Sequence, residues 1–525
     1  MLCLVYSAIM NNSKRKEILI LILCLLLGFA LRFYTFDRKS LWIDEIHTFN
    51  DSRDDLRGQF NFYKENPSYL QPPVFFLLTH LFYPFKNPER DLRIIPLIFG
   101  TLSIPMIYFL SRSFSPPIAL PCTLSLAFMT YHISLSQDGR AYSLLMFLGM
   151  LSLYFLLQYL KTLKKRYLVF TSFVFALLFY SSYSSILFIF FSQMLWFYRV
   201  NENNKGPSLY FWLILNCILL FLCLPWILFL ALNYRGQPLI DPYELKLLVS
   251  FWDILSAILN DWAPYLPLTL VSLLLLICLF FFSKSRRNSI ILVGIFILPT
   301  GGLYLYCRLF NISHFISSRY FINFLPLFII ALYLSLSIME NRFEKLNKFV
   351  RFRLLFIILF IVSNLVILPL YYRAQKEDFR GLVNYLKGQL REGDKLFDSD
   401  IFAYTPGILH YFGAYPEKRH YEIPYYKVSE KEIEFRKSFV YKNSRYTIYY
   451  SRTCCTQYLS EKGRIWIIGG KRTAKEIKGN SPCVLKGYFD GSFLNSYRFP
   501  TDASLYLFLW DPKSPGEKGI DRPIE

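Results

Sequence analysis

The chain is organised by long stretches without a charged residue, separated by short clusters of Lys, Arg, Asp and Glu. Uncharged runs of 17 or more residues cover 94–110, 113–137, 141–160, 167–198, 206–234, 262–283, 288–307, 320–339 and 354–372. Each is long enough to cross a hydrocarbon core of ~30 Å as a helix. The run 18–36 joins them with one charge, Arg32, near enough to its end to snorkel towards the headgroups. The run 167–198 is about 48 Å long as one helix and is interrupted by Ser181-Ser182-Tyr183-Ser184-Ser185, so it predicts two short spans and brings the total to eleven. By contrast, 74–85 follows Pro72-Pro73, contains His80 and Pro84, and reaches only ~18 Å; it predicts a juxtamembrane helix.

From residue 373 the long apolar runs stop, and a soluble domain of ordinary size is predicted over 373–525. Period and composition predict helices over 379–390 and 406–412 and strands over 394–398, 446–450, 464–468 and 504–510, an α/β layer. Gly469-Gly470 follows a strand but completes no phosphate-binding glycine pattern, and reads as a turn.

Composition agrees with the pattern. With 54% hydrophobic and 18% charged residues, a mean hydropathy of +0.32 excludes a disordered, fibrous or disulfide-scaffold protein and indicates an α-helical polytopic membrane protein. The net charge of +21 would suggest nucleic acid in a soluble chain, but here it divides between membrane sides. With eleven spans and the amino terminus inside, the inside loops carry 18 basic residues against four acidic ones, so the 373–525 domain is expected outside, with no nucleic-acid partner. Met10, just ahead of Asn11-Asn12-Ser13-Lys14-Arg15-Lys16, is a second candidate start. No small-residue cleavage site follows the first apolar run, which therefore reads as a retained span.

Six of the ten cysteines fall in apolar tracts, where Cys acts as a small hydrophobe. Cys454, Cys455 and Cys483 lie in the outer domain, where one disulfide or unpaired thiols are both open readings. No Cys/His zinc spacing or outer-loop Asp-x-Asp pair occurs, so no essential metal and no cofactor are expected.

The first outer loop, 37–93, is the richest in candidate chemistry. It opens Asp37-Arg38-Lys39-Ser40-Leu41-Trp42-Ile43-Asp44-Glu45-Ile46-His47, placing an acidic pair directly after a membrane span, where a water-soluble acceptor meets a lipid-borne donor. A solvated acid pair balancing Arg38 and Lys39 is the bland alternative. The second large outer loop, 235–261, contains Asp241-Pro242-Tyr243-Glu244 and an apolar segment 245–259; a lid over a lipid-entry cavity and a passive surface helix both suit it.

Leu41-Trp42-x-Asp44-Glu45 after the first span, Tyr69-Leu70-Gln71-Pro72-Pro73 before the short helix, and Ser136-Gln137-Asp138-Gly139-Arg140-Ala141-Tyr142 occur in that order. Ser318-Arg319-Tyr320 before a span and Glu377-Asp378-Phe379-Arg380 opening the tail accompany them. The set resembles the type C (GT-C) membrane glycosyltransferases, specifically the bacterial branch of the family that contains protein O-mannosyltransferases and lipid A aminoarabinose transferases. The resemblance implies a GT-C fold of about 11 transmembrane helices in a 1–372 module. It also implies inverting transfer of a sugar from a polyprenyl-phosphate carrier to a glycan, lipid or protein acceptor at the outer face of a bacterial inner membrane.

By the resemblance, Asp44 is the catalytic base, and Arg140 and Arg319 are candidate cations for the leaving phosphate, since Arg presents a planar fork to phosphate oxygens. Asp138 is a second acid or the partner of Arg140. Glu45 and His47 orient Asp44 or touch the acceptor, and Tyr69 and Tyr142 stack on sugar, donate to phosphate or simply pack at the interface. Gln71 departs from the basic residue the family commonly carries before Pro-Pro, which removes one expected phosphate contact. A diphosphate-linked oligosaccharide transferase and a flippase for lipid-linked sugars are the alternatives. The charges sit at span ends without an internal repeat, which speaks against transport.

Overall fold

The computed structural model describes residues 2–66, 70–198, 208–234, 250–283, 285–309, 317–399, 404–414, 434–451, 463–480, 482–492, 503–513 and 519–520. Among the described residues, six helices are long and apolar enough to cross a bilayer: Pro88–Phe114, Tyr142–Thr162, Leu209–Asn233, Arg286–Leu309, Ser318–Arg342 and Phe352–Arg373. Two bent pairs, Pro116–Phe128 with Thr130–Ser136 at 61° and Phe251–Trp262 with Leu266–Phe282 at 107°, bring the number to eight when each pair is counted as one span. The chain is thus a multi-pass membrane protein, but among the described residues the eleven expected spans are not all full-length apolar helices. The 167–198 run does break at its serines, into Lys165–Phe179 and a second helix from Ser185, each shorter than a bilayer crossing. The first helix, Leu2–Phe33, carries charges in its middle as well as at Arg32.

Val74–His80 is a helix of seven residues, far too short to span, as its length in the sequence implied. Most of the 235–261 loop lies outside the described residues; its end forms the amphipathic helix Phe251–Trp262, whose amino terminus is capped by the Ser250 hydroxyl.

Arg32 corrects the sequence expectation. It is fully buried and does not snorkel. Its guanidinium donates to the carbonyls of Gly28 (2.8 Å), Ala127 (3.0 Å) and Leu126 (2.9 Å), and to Nδ1 of His132 at 2.7 Å. Leu126 and Ala127 lie in the last turn of the helix Ala119–Phe128 at the 61° bend, where the Leu126 carbonyl keeps only a long 3.4 Å bond from the Met129 N–H and the helix supplies no further turn of donors. Asn364 completes the junction, accepting from the Thr130 N–H while its own carbonyl accepts from the Thr130 hydroxyl. Two polar side chains from other helices therefore satisfy a broken span inside the bundle, where an unpaired carbonyl would be costly.

The carboxyl-terminal elements form one six-stranded mixed sheet of strands β1 (Lys395–Asp398), β2 (Glu434–Tyr441), β3 (Ser444–Ser451), β4 (Ile465–Gly469), β5 (Val484–Phe489) and β6 (Leu505–Trp510), in the order β2-β3-β1-β4-β6-β5. The centre is parallel, with Leu396 in register with Ile448 and Trp466, and both edges are antiparallel. Alternate residues feed two cores. Leu396, Ile448, Trp466, Ile468 and Leu507 pack under the helices Phe379–Gln389 and Thr405–Phe412, whereas Phe397, Ile467, Ala474, Ile477 and Phe508 pack with the helix Lys471–Asn480. Burial on both faces explains why β4 and β6 read as unbroken apolar runs. The expected helices and strands are all present. β2, β5 and the last helix were not foreseen, because polar residues interrupt their apolar pattern.

This domain is not a free appendage. Leu41, Ile46 and Leu92 of the 37–93 loop belong to its first core. The Tyr411 hydroxyl accepts from the Leu41 N–H (2.7 Å) and donates to Glu89 (3.0 Å), and Gln375 accepts from the Ser40 N–H.

Candidate active site

The acidic pair opens the helix Ile43–Asp51. The first N–H of that helix, on Ile43, donates to the Glu377 carboxylate at 2.8 Å, so a residue from the tail caps the helix that carries Asp44. Adjacent residues on a helix point about 100° apart, and the two acids consequently have different surroundings. Asp44 keeps its carboxylate 31% exposed, 3.7 Å from the Arg319 guanidinium. Glu45 turns inward and is only 1% exposed. It takes two parallel bonds of 2.6 Å from Arg93, a third of 2.7 Å from the Gly139 N–H, and sits at 3.4 Å from the Trp42 N–H.

Arg93 in turn donates to the carbonyls of Phe36, Lys39 and Ser40. One buried ion pair thus fixes the loop before Asp44, the helix that bears it and the Asp138-Gly139-Arg140 turn. A Cβ on Gly139 would meet the Glu45 carboxylate at 3.1 Å, which explains the glycine there.

Asp138 is buried. Its Oδ1 accepts from the Trp42 indole at 2.9 Å and its Oδ2 from Lys376 at 2.6 Å. Burial opposes its charge, but Lys376, the indole N–H and Arg319 outweigh burial and hold the carboxyl below its ordinary range. Trp42 itself lies under two cations, Lys376 at 4.1 Å and Arg319 at 5.2 Å from its ring, and Arg319 also lies 5.6 Å from the Tyr142 ring. Arg140 reaches the Asp44 carbonyl and the Thr48 hydroxyl, each at 3.2 Å. Asp138 is therefore joined to Lys376 and Trp42.

His47 is half-buried one turn along from Asp44. Burial lowers its pKa, helped by Arg140 and opposed by Asp51 and Asp44. Gln71 precedes the short helix next to Leu70, whose carbonyl accepts from the Tyr183 hydroxyl at 2.6 Å. It makes none of the described contacts that link Asp44, Arg140, Arg319 and Tyr142. Tyr69 lies outside the described residues.

Behind Arg319, Ser318 donates to the buried Asp261 and its hydroxyl shares a 2.9 Å bond with Tyr131. Lys39 is also buried, donating to the Tyr371 carbonyl at 2.6 Å with its ammonium 3.3 Å from the Tyr371 ring. Burial, with Lys376 and Arg93 nearby, pushes its pKa well below the usual lysine range. Arg93, Lys376, Asp261 and Lys39 were not singled out from the sequence. The only local signals were that Arg93 ends the loop just before an uncharged run and that Lys376 adjoins the Glu377-Asp378 motif.

The architecture that holds these groups has counterparts among solved structures. ArnT from Cupriavidus metallidurans in the apo state superposes with a TM-score of 0.53 at 11% identity, covering 95% of this chain and 98% of that one. The same protein bound to undecaprenyl phosphate gives 0.50 at 10% identity, covering 95% and 99%. The chain has the type C glycosyltransferase fold. A family model described as dolichyl-phosphate-mannose-protein mannosyltransferase matches residues 70–229, a segment that contains Asp138 and Arg140 but begins after Asp44. No curated protein sequence matches the chain.

Proposed function

We propose that this chain is an inverting glycosyltransferase that takes a sugar from a polyprenyl-phosphate carrier and places it on an acceptor at the outer face of the membrane. The observation that carries the reading is the pairing of a half-exposed carboxylate, Asp44, with Arg319 at 3.7 Å on a helix braced by a buried ion pair. The matching fold of a protein crystallised with undecaprenyl phosphate supports the choice of carrier.

In this mechanism Asp44 takes the proton from the acceptor's hydroxyl or amine as that atom attacks the anomeric carbon. The bond from that carbon to the phosphate oxygen breaks on the opposite face, so configuration inverts, and the electron pair leaves with the polyprenyl phosphate. Arg319 and Arg140 stabilise the growing phosphate charge, which is worth several kcal/mol in a water-poor site. Glu45, occupied on both oxygens, acts as a positioning residue for Asp44. Lys376 and Asp138 hold Trp42 as the floor beneath the reacting groups. Metal chemistry has no part in this scheme, so transfer should persist in excess chelator; loss with chelator and recovery with magnesium or manganese would contradict it.

The test is transfer of radiolabelled sugar from a panel of polyprenyl-phosphate sugars, comparing membranes with the wild-type chain and with Asp44→Asn at matched expression. Loss of the base should lower transfer by ~10²-fold or more. Equal transfer by both proteins would remove Asp44 from the mechanism, and transfer only from diphosphate-linked donors would replace the proposed carrier.

A further inference from the structure

A second polar cavity lies at the opposite end of the bundle. The helix that begins at Ile94, just after Arg93, reaches Arg112 about 28 Å further on, and the helix that begins at Tyr142 reaches Lys161 after the same rise. Both lengths match a hydrocarbon core of ~30 Å, so Arg112 and Lys161 stand at headgroup depth in the leaflet opposite Asp44.

There the first helix adds Lys14 and Glu17, and the three helices enclose a cleft of about 580 Å³. Arg112 donates to Glu17 at 2.9 Å and to the Tyr108 hydroxyl at 2.5 Å, and that hydroxyl donates to Glu17 at 2.7 Å. The guanidinium is therefore held in place while 44% of its side chain remains exposed. Lys14 and Lys161 are exposed and make no ion pair among the described residues, which leaves the cleft with three cations against one acid. Tyr154 and Gln158 add polar groups to its wall. One turn along the helices, in the direction of Asp44, the lining turns apolar, with Ile18 57% and Phe109 48% exposed at the surface of the bundle.

We propose that this cleft binds the phosphate headgroup of an anionic phospholipid in the leaflet opposite Asp44. The cations meet the phosphate, the tyrosines sit at the interface where amphipathic rings are favoured, and Ile18 and Phe109 lie along the acyl chains. A free phosphate would use the cations but gain nothing from the apolar half of the lining. The site does not depend on the sugar-transfer reading.

The test uses the full-length protein in nanodiscs of phosphatidylcholine with 20% phosphatidylglycerol. Lipid retained by the protein is measured by native mass spectrometry for wild type and for the variant K14Q/K161Q. Wild type should retain phosphatidylglycerol about tenfold above its share of the bilayer and the double variant close to that share, since each lysine near an anionic headgroup contributes a several-fold preference. No enrichment on wild type, or equal enrichment on the variant, would overturn the proposal. Displacement by 10 mM inorganic phosphate would replace the lipid with a soluble anion as the occupant and overturn it as well. Lys14 and Lys161 lie a bilayer away from Asp44, so sugar transfer by the variant in detergent should stay within about twofold of wild type; a collapse of transfer would show that the two ends of the bundle are not separate sites.

Discussion

The indole of Trp42 donates to Asp138 across 2.9 Å while Lys376, from the segment that leads into the tail, closes on the other oxygen of the same carboxylate at 2.6 Å. Three stretches far apart in sequence thus meet at one buried carboxylate. Removing one member of such a pair leaves a buried charge unmatched, which typically costs 3–5 kcal/mol, whereas removing both costs much less. Lys376→Met and Asp138→Asn should each lower thermal stability markedly. The double variant should recover much of the loss, with a coupling of about 1–3 kcal/mol in a double-mutant cycle. Additive losses would show that the two residues act independently.

The two acids of the first loop should separate in their effects. Asp44→Asn removes a half-exposed carboxylate and should leave the melting temperature nearly unchanged while transfer falls. Glu45→Gln strips the charge that faces Arg93 in a site where both side chains are almost fully buried, so it should destabilise the protein by several kcal/mol. Circular dichroism melts of both variants in detergent provide the check. A Glu45→Gln protein as stable as wild type but inactive would make Glu45 a direct participant in the chemistry.

This division was partly legible in the sequence. The acidic pair stood out at the head of the first loop, and the family resemblance separated Asp44 from Glu45, but the burial of Glu45 depended on Arg93, 48 positions later, and on a backbone N–H from Gly139. The uncharged runs revealed the membrane tracts because bilayer thickness acts on each segment separately. They did not show where a span is broken, because local composition does not reveal a bend that is capped from elsewhere. Lys376 and Tyr411 were invisible for a related reason. Their meaning lies in long-range contacts to Asp138 and Leu41, and nothing in the local pattern distinguishes them from the many other basic and aromatic residues of the chain. Arg319 was found only because its neighbours in sequence formed part of a recurring motif.

Arg32 gives a prediction on the membrane-embedded scaffold. Arg32→Met keeps the length and apolar stem but abandons the carbonyls at the 61° bend, leaving Leu126 with only the 3.4 Å bond from the Met129 N–H and Ala127 as an unsatisfied buried acceptor worth ~1–3 kcal/mol. The bent segment continues into Gln137, whose amide donates to the carbonyls of Arg32 and Tyr34, and then into Asp138 and Arg140. The variant should therefore lose both stability and transfer, and Arg32→Lys, with a single ammonium for several acceptors, should recover only part of either. Full stability in Arg32→Met, measured by fluorescence-detected size exclusion after heating, would show that the bend is satisfied without it.

The contact between the tail and the helix of Asp44 should respond to acid through His410. Its ring packs edge-on against Phe49 at 4.7 Å, and burial drives its pKa down to about 4, with Glu89 opposing the shift. Above the ordinary histidine value of ~6.5 the ring is neutral in both folded and unfolded chains, and its contribution to stability is intact. Between pH 6.5 and 4 only the unfolded or undocked form takes up the proton, so stability falls across that window by up to about 3 kcal/mol. Below pH 4 the folded form protonates too and the loss levels off. His410→Phe keeps an aromatic ring against Phe49 and cannot be protonated. Its melting temperature should therefore decline less than that of wild type between pH 7 and 4.5, and parallel declines would place the acid sensitivity in other groups.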